Sequence, residues 1–197
     1  MIAYKGFSPD LMSVMGDNDE ENCQFTIGET KEVSASKTAR EGLHCCENIT
    51  ACMTYYDWDG KNRFFRVAAD GDIDEDDQNR IACTKITLIE ELDQKGVCFA
   101  IMKYITQHPQ RNDWKCSRHD VVVSNDSASV DTHIGIAVAR GEYPIVRGRA
   151  GSVVGILVED ENGIIIDAHM AVVSGDQSGK WLRYHHGWEA VNEPKGN

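Results

Sequence analysis

The sequence contains no run that approaches the ~20 consecutive apolar residues needed to cross a bilayer. Basic residues are also scarce, since 20 lysines and arginines stand against 32 aspartates and glutamates, for a net charge of −12. Without a basic face the chain cannot neutralise many phosphates, which argues against direct nucleic-acid binding. The opening residues lack the basic and apolar regions of a secretory signal peptide. We therefore expect a cytoplasmic protein without a membrane partner.

In that compartment the seven cysteines should be thiols or metal ligands rather than disulfides. Three of them, Cys45, Cys46 and Cys52, lie in the segment GLHCCENITACMTYY at 42–56. They do not provide the two well-spaced ligand pairs that are typical of zinc sites. A cysteine nucleophile would need a base within reach, which the sequence does not show. We therefore predict no metal site and interpret these cysteines as small buried apolar residues.

The negative charge is concentrated in the first half of the chain. Residues 1–105 carry 20 acidic and 11 basic side chains (net −9), whereas 106–197 carry 12 and 9 (net −3). The densest acidic run lies at 70–77, and we predict that Asp72, Asp74 and Asp76 bind a basic partner surface. The alternative is that this run is only a solvated loop.

Periodicity predicts the elements of the first half. Apolar residues at helical spacing indicate a short helix over 49–56, with Asn48 as its N-cap. The segment RFFRVAADGDI predicts a strand, and two further helices are expected over 87–95 and 97–107. The fold class predicted for residues 1–110 is therefore a small α+β domain with three helices.

The second half of the sequence consists mainly of short β-branched runs separated by turn residues. Val121–Val123, Ile136–Val138 and Val153–Leu157 recur at a spacing that suggests stacked turns of a β-roll or solenoid, although an ordinary β-meander fits nearly as well. The pair Asn162-Gly163 predicts a hairpin turn. Residues 111–197 are accordingly predicted to form an all-β unit for oligomerisation or binding.

A cleft is the expected functional feature of the first domain. His44 follows Gly42-Leu43 at a predicted strand end, immediately before the capped helix, where polar side chains often face a cleft. The expected border of this cleft, and with it the candidate set for binding or catalysis, is Tyr4, Lys5, His44, Tyr55 and Tyr56. The alternative is that His44 is a structural histidine with satisfied nitrogens.

Aromatic residues cluster near the C-terminus. Trp181, Tyr184 and Trp188, with two histidines between them, form either a protein-binding patch or a final strand packed on the β-roll. We retain the three aromatic residues as candidate binding residues.

Most of the chain resembles an uncharacterised family of phage and prophage proteins. The matching segments are AYKGF at 3–7, GLHCCEN with the following Tyr-Tyr, FRVAADGDI at 65–73, RIACTKITLIEEL at 80–92, IGIAVARGEY at 134–143 and GRAGSVVGILVEDENGIIIDAHMAVV at 148–173. Members of this family carry β-roll repeats similar to the head repeats of trimeric adhesins. The resemblance implies that SNDSASVDTHIGIAVARGEY is a shortened form of these repeats.

A second, local resemblance is to ADP-ribosyltransferases. It rests on Tyr4-Lys5-Gly6-Phe7 and on Gly42-Leu43-His44 followed by a helix carrying Tyr55. The resemblance implies that Tyr4 to Gly6 line a nicotinamide ribose and that His44 to Tyr56 form the nicotinamide wall. Lys5 departs from the family's usual His or Arg, and no catalytic Glu can be assigned on a late strand.

These observations lead to a phage-encoded, non-catalytic binding protein of the host cytoplasm, an inhibitor or sequestering factor. Its partner would be a host or anti-phage defence protein, or a small molecule sequestered from one, and no cofactor is expected. The alternatives are an ADP-ribosyltransferase-like enzyme that consumes NAD and a structural virion component. We also expect a homo-oligomer joined through the second half of the chain, with a trimer favoured by the adhesin resemblance.

Overall fold

The chain folds into two compact, mostly β units, Met1–Asp93 and Gln94–Asn197. Strands account for 50% of the residues and helices for 10%. No helix in the described ranges is long and apolar enough to cross a membrane. The structure is a computed structural model, and it describes residues 1–13, 23–38, 40–76 and 79–193.

A small antiparallel barrel forms the first unit. Strands β7, β5, β1 and β6 pair in this order, and β6 pairs in turn with β7, so that the sheet closes on itself. Strand β4 extends the sheet beside β7, and β2 pairs with β3. The elements are β1 (Ile2–Phe7), β2 (Met12–Ser13), β3 (Cys23–Gln24), β4 (Thr30–Glu32), β5 (Leu43–Cys46), α1 (Ile49–Cys52), β6 (Arg63–Glu75) and β7 (Arg80–Glu91).

Alternate residues of the barrel strands fill its interior, because successive side chains of a strand point to opposite faces. Ala3 and Phe7 of β1 and Phe65 of β6 are fully buried in one apolar cluster. Phe7 packs edge-on against Phe25 and Phe65, with ring centroids 5.0 and 5.7 Å apart. The same alternation that buries Ala3 and Phe7 also directs Lys5 inwards.

The helix after Asn48 begins as predicted and is shorter than predicted. The Asn48 side chain accepts a hydrogen bond from the Thr50 backbone N–H at 3.0 Å, which confirms the N-cap. Helix α1 ends at Cys52 instead of continuing to Tyr56. A short cap of this kind closes the barrel surface beside β1 and β5 without forming a helical layer.

One helix and a seven-stranded sheet form the second unit. The helix packs against β10, β11 and β12. The sheet runs β12-β11-β10-β13-β14, with β9 also paired to β10 and β8 to β9. The elements are α2 (Gln94–Gln107), β8 (Cys116–Ser117), β9 (Val121–Ser129), β10 (Ile136–Arg147), β11 (Val153–Glu159), β12 (Ile165–Val172), β13 (Trp181–Tyr184) and β14 (Trp188–Val191).

The three β-branched runs of the second half stack as predicted. Strands β9, β10 and β11 are neighbouring parallel strands, and Ile136 lies opposite Val121 on one side and Val153 on the other. The hairpin at Asn162-Gly163 is also confirmed: it joins β11 to the antiparallel β12, and Gly163 has a φ of +75°. The stacked rungs therefore exist, with β13 and β14 added across the bent second half of β10.

The predicted fold class is wrong in both halves. The first unit is a β-barrel with one four-residue helix in its described part, not an α+β domain with three helices. The helix predicted over 87–95 is the end of strand β7, and the helix over 97–107 is α2, which belongs to the second unit. The second unit is therefore not all-β. The division between the units lies at Asp93/Gln94, ahead of the 110/111 division used in the sequence analysis.

Candidate functional site

Lys5 lies inside the barrel. It is 5% exposed, and its Nζ donates a hydrogen bond to the His44 carbonyl oxygen at 2.6 Å. The ammonium also lies over the rings of Phe7 and Phe25, 5.3 and 5.5 Å from their centroids. Burial lowers the pKa of Lys5, and the neighbouring thiols, Cys45 foremost, oppose this shift. Strands β1 and β5 are paired only at Tyr4 and Cys46 in the described structure. The hydrogen bond from Lys5 therefore adds a second link between these two strands.

The predicted cleft is not formed by the residues expected to line it. Tyr4 points to the opposite face of β1 from Lys5, and burial raises its pKa. The Tyr56 ring packs directly on Gly6, where an added Cβ would lie 2.7 Å from Tyr56 Cδ2. Tyr55 is 58% exposed, and its hydroxyl hydrogen-bonds with Arg80. The structure thus separates Lys5, in the barrel, from the tyrosines outside it.

His44 is half-buried on β5, and neither ring nitrogen has a hydrogen-bond partner of normal geometry. Burial is the main cause that lowers the pKa of His44, and the charge on Lys5 adds to it. The nearby backbone of Lys37 and Gly42 acts in the opposite direction. Burial therefore favours the neutral imidazole of His44, and the polar contacts of its ring are with the backbone of Lys37 and Gly42.

We expect His44→Leu to remove an acid sensitivity of the fold. The folded-state pKa lies below the ordinary 6.5, so the unfolded chain binds more protons between the two values. The wild type therefore loses stability as pH falls from about 6.5 towards the folded-state pKa. Leucine has no proton to gain and should change stability at neutral pH by less than ~1 kcal/mol.

Thermal melts between neutral and acidic pH measure this difference. His133→Leu, at an exposed position of the second unit, is the matched control and should keep the wild-type pH dependence. Equal slopes for the wild type and His44→Leu would show that His44 is not held neutral by its surroundings.

The cysteines of the GLHCC segment form thiol pairs. Hydrogen bonding to Cys52 lowers the pKa of Cys46 and raises that of Cys52, and Cys45 pairs in the same way with Cys83. The Cys52 thiol also donates to the Tyr4 carbonyl at 3.3 Å. All four are buried and free. In the part of the chain that the structure describes, no group of three or more His, Cys, Asp or Glu side chains could hold a metal ion.

The acidic run is a bulged strand and not a loop. Residues 70–75 belong to β6, whose pairing with β7 shifts register between Asp70 and Ile73. Gly71 occupies the bulge with a φ of +78°, and the Asp72 N–H donates to Thr84 Oγ1 at 2.9 Å. A bulge of this kind redirects the side chains around it. Here it turns Asp70 and Asp72 out to solvent.

The acidic residues divide into two groups. Asp74 accepts hydrogen bonds from the Thr38 N–H and Oγ1 at 2.7 and 2.6 Å, which hold its pKa low, and Asp76 is bound by Arg80 Nε at 2.6 Å. These two predicted binding residues are thus committed to internal contacts. The exposed carboxylates are Asp70, Asp72 and Glu75, which we call the acidic ridge. Asp77 lies outside the described residues.

We predict that Gly71→Ala will disrupt the ridge. A Cβ at Gly71 would lie 2.1 Å from Thr84 Oγ1, which is itself held by the Asp72 N–H. The positive φ adds ~1–2 kcal/mol and the forced displacement a further ~1–3 kcal/mol. Gly28→Ala is the matched control, because Gly28 has a φ of +82° with nothing within 4 Å of its added Cβ. Urea unfolding should show the larger loss for Gly71→Ala; equal losses would contradict the role of Thr84.

The C-terminal aromatic residues do not share one surface. Tyr184 stacks on His169 with centroids 3.4 Å apart, and Trp188 packs edge-on against Tyr184 at 5.7 Å. Both aromatic residues contact the apolar core of the second unit. Trp181 lies on the other face of β13, under the Arg147 guanidinium at 5.4 Å. His169 carries no signal of this contact in the sequence, since only the fold brings β12 next to this cluster.

This arrangement does not support the ADP-ribosyltransferase hypothesis. That hypothesis requires Lys5 to line a ribose site, whereas its amine is buried and bound to a carbonyl. Glu90 and Glu91 form ion pairs on β7 with Arg66 and Arg63, at 2.9 and 2.6 Å. The enzymatic alternative therefore remains a prediction from sequence alone.

The first unit defines the class of protein to which the chain belongs. Residues 1–100 match the family described as Domain of unknown function (DUF7666), so the chain is a member of that family. The match spans the whole barrel and the first part of α2. No curated protein and no solved structure shows significant similarity to the chain.

Proposed function

We propose that the protein is a phage-encoded, non-catalytic binding protein that docks through its acidic ridge onto a basic surface of a host or defence protein. The observation that carries this proposal is the ridge itself: exposed carboxylates of Asp70 and Asp72 at the bulge of β6 and of Glu75 just after it. Phage origin and action in the host cytoplasm rest on the resemblance of the sequence to phage and prophage proteins.

The ridge has the properties of a docking surface. Among the described residues, none of its three carboxylates forms an ion pair; Asp72 Oδ2 accepts only from the neutral Ser36 hydroxyl at 3.3 Å and Asp70 Oδ1 from the Gly71 N–H at 2.8 Å, whereas Asp74 and Asp76 are each paired with a cation. Unneutralised charge on a fixed scaffold steers a partner of opposite charge and accelerates association. The bulge at Gly71 is held in place, because the Asp72 N–H donates a hydrogen bond to Thr84 Oγ1.

A charge-matched comparison tests the proposal. The ridge variant Asp70→Asn/Asp72→Asn/Glu75→Gln and the control Glu29→Gln/Glu161→Gln/Glu193→Gln lose the same charge, the latter at exposed positions elsewhere. Each protein is immobilised and incubated with lysate of the bacterial host. The proteins that each variant retains are then quantified relative to those retained by the wild type. We expect a basic protein retained by the wild type and control and lost from the ridge variant, with retention falling steeply with salt. Identical retention by all three proteins would reject the ridge as the docking surface.

A further inference from the structure

Strand β12 is the edge of the second unit's sheet. Its only strand partner among the described residues is β11. The Val173 N–H and carbonyl bond to Ser152 and Gly151 on the β11 side, both at 2.9 Å. In an antiparallel pair, neighbouring residues direct their backbone groups to opposite sides. The even-numbered residues Ala168, Met170 and Val172 therefore direct their N–H and carbonyl groups to the open edge.

One of these open-edge groups is covered by a side chain. The Ala168 N–H donates to Oδ1 of its neighbour Asp167 at 2.8 Å, as expected of a donor with no strand beside it. Asp167 Oδ2 is bound by His169 Nε2 at 2.7 Å. Asp167 and His169 thus lie side by side at the centre of the edge.

The edge is also apolar. Ile164, Ile166, Met170 and Val172 are 60%, 64%, 37% and 43% exposed. Natural edge strands are usually protected from pairing by lysine, proline, bulges or inward-pointing charge. Residues 164–172 contain neither lysine nor proline, and the bulge opposite Glu159 leaves Asp167–Val172 as a regular strand. Such an edge is a template for another strand.

The chemistry of the edge is self-complementary. A two-fold axis at Ala168 places Ala168 opposite its own copy and Asp167 opposite the partner copy's His169, twice in each pair of strands. Ile166 then lies towards the partner's Met170, whereas Ile164 lies beyond the bulge, where its N–H and carbonyl are bonded to Asp160. An axis at Asp167 would instead oppose two carboxylates, and an axis at His169 two imidazoles. Hydrogen bonding between Asp167 and His169 and the apolar contact of Ile166 with Met170 therefore favour the same register.

We propose that β12 pairs antiparallel with β12 of a second copy of this chain, about a two-fold axis at Ala168, to form one continuous sheet. In the dimer the Ala168 N–H leaves Asp167 for the partner's carbonyl, and Asp167 turns to the partner's histidine. Two-fold pairing closes after two copies, so this interface predicts a dimer and not the trimer favoured by the adhesin resemblance. The inference does not depend on the acidic ridge.

Sedimentation of the full chain over a range of micromolar concentrations tests the interface. Met170→Lys puts an ammonium against the partner's Ile166 and should weaken dimerisation by about tenfold or more. Tyr143→Lys is the matched control, because Tyr143 is 70% exposed on β10, away from this edge, and it should dimerise as the wild type does. A monomeric wild type, or a Met170→Lys dimer of unchanged affinity, would overturn the proposal.

Cross-linking tests the register independently of affinity. In the proposed register, cysteines at Ala168→Cys meet across the axis at a Cα separation of about 5.5 Å, within reach of a disulfide. Mild oxidation should therefore give a covalent dimer of Ala168→Cys that is absent from the wild type with its native thiols. Preferential cross-linking of Met170→Cys would place the axis at Met170 and contradict the register; cross-linking of neither variant would contradict the strand pairing.

Discussion

Replacing Lys5 with alanine is expected to lower the free energy of unfolding of the first unit by about 3–5 kcal/mol. The substitution removes four side-chain atoms from a filled barrel and deprives the His44 carbonyl of the amine that binds it at 2.6 Å. The rings of Phe7 and Phe25 lose their contact with the ammonium as well. The cavity and the lost donor act together, which makes this one of the two largest effects we expect.

Lys5→Met separates the charge from the volume. Methionine fills similar space without an ammonium to desolvate, so we expect a change within ~1.5 kcal/mol near neutral pH. Burial places the folded-state pKa of Lys5 below 10.5, so between these values the unfolded chain binds more protons. The stability of the wild type relative to Lys5→Met should therefore rise with pH across that window and stay constant below it.

Urea unfolding at neutral and alkaline pH measures both quantities. Lys85→Ala is the control, since Lys85 is 43% exposed in a surface pair with Glu32 and should cost at most ~1 kcal/mol. A Lys5→Ala loss no larger than that of Lys85→Ala would mean that Lys5 does not hold the barrel. A flat difference between the wild type and Lys5→Met would mean that the amine is not desolvated.

Local signals predicted those elements whose chemistry is contained in a short segment. Asn48 caps α1 because an amide oxygen two residues ahead suffices to bind the Thr50 N–H. Asn162-Gly163 forms its hairpin for the same reason, since a turn is defined by its own dihedral angles. The rungs at Val121, Ile136 and Val153 stack because each is too apolar to remain unpaired.

Long-range pairing overrode the pattern where the predictions failed. The segment ITLIEEL contains helix-forming residues, yet it forms a strand because it pairs with β6. Its two glutamates form ion pairs with Arg63 and Arg66 of β6. The closure of β7 onto both β5 and β6 has no local signature. Intrinsic preference is weak enough for such contacts to reverse it.

The cleft predicted around Lys5 is not formed for a related reason. Lys5 was itself expected, with Tyr4, to border a cleft, because a lysine is almost never fully buried without a partner. Strand alternation alone placed it on the same face as Ala3 and Phe7, which are in the core. The partner, a backbone carbonyl of β5, depends on closure of the barrel and has no trace in the sequence. The alternation of side chains along β1 was therefore the one sequence feature that could have predicted the burial of Lys5.

The second large effect is expected from Arg140→Ala, at about 3–5 kcal/mol. Arg140 is 8% exposed, and its Nε donates to Glu159 at the bulge of β11. Its Nη1 donates to the Pro109 carbonyl at 2.8 Å, and its guanidinium lies 5.7 Å from the ring centroid of buried Trp114. One side chain thus fastens the segment after α2 to the sheet, and its removal leaves the Glu159 carboxylate largely buried without its cation.

A matched pair in the same unit separates burial from charge. Arg183 and Glu189 form an ion pair at 2.7 Å with side chains 40% and 45% exposed, and Arg183→Ala should cost at most ~1 kcal/mol. The double variant Arg140→Met/Glu159→Leu should be more stable than Arg140→Ala, because no uncompensated charge remains buried. Thermal melts give the ranking: Arg183→Ala close to the wild type, the double variant next, and Arg140→Ala lowest. If Arg140→Ala and Arg183→Ala melted together, the Arg140 contacts would contribute no more than a solvated surface pair.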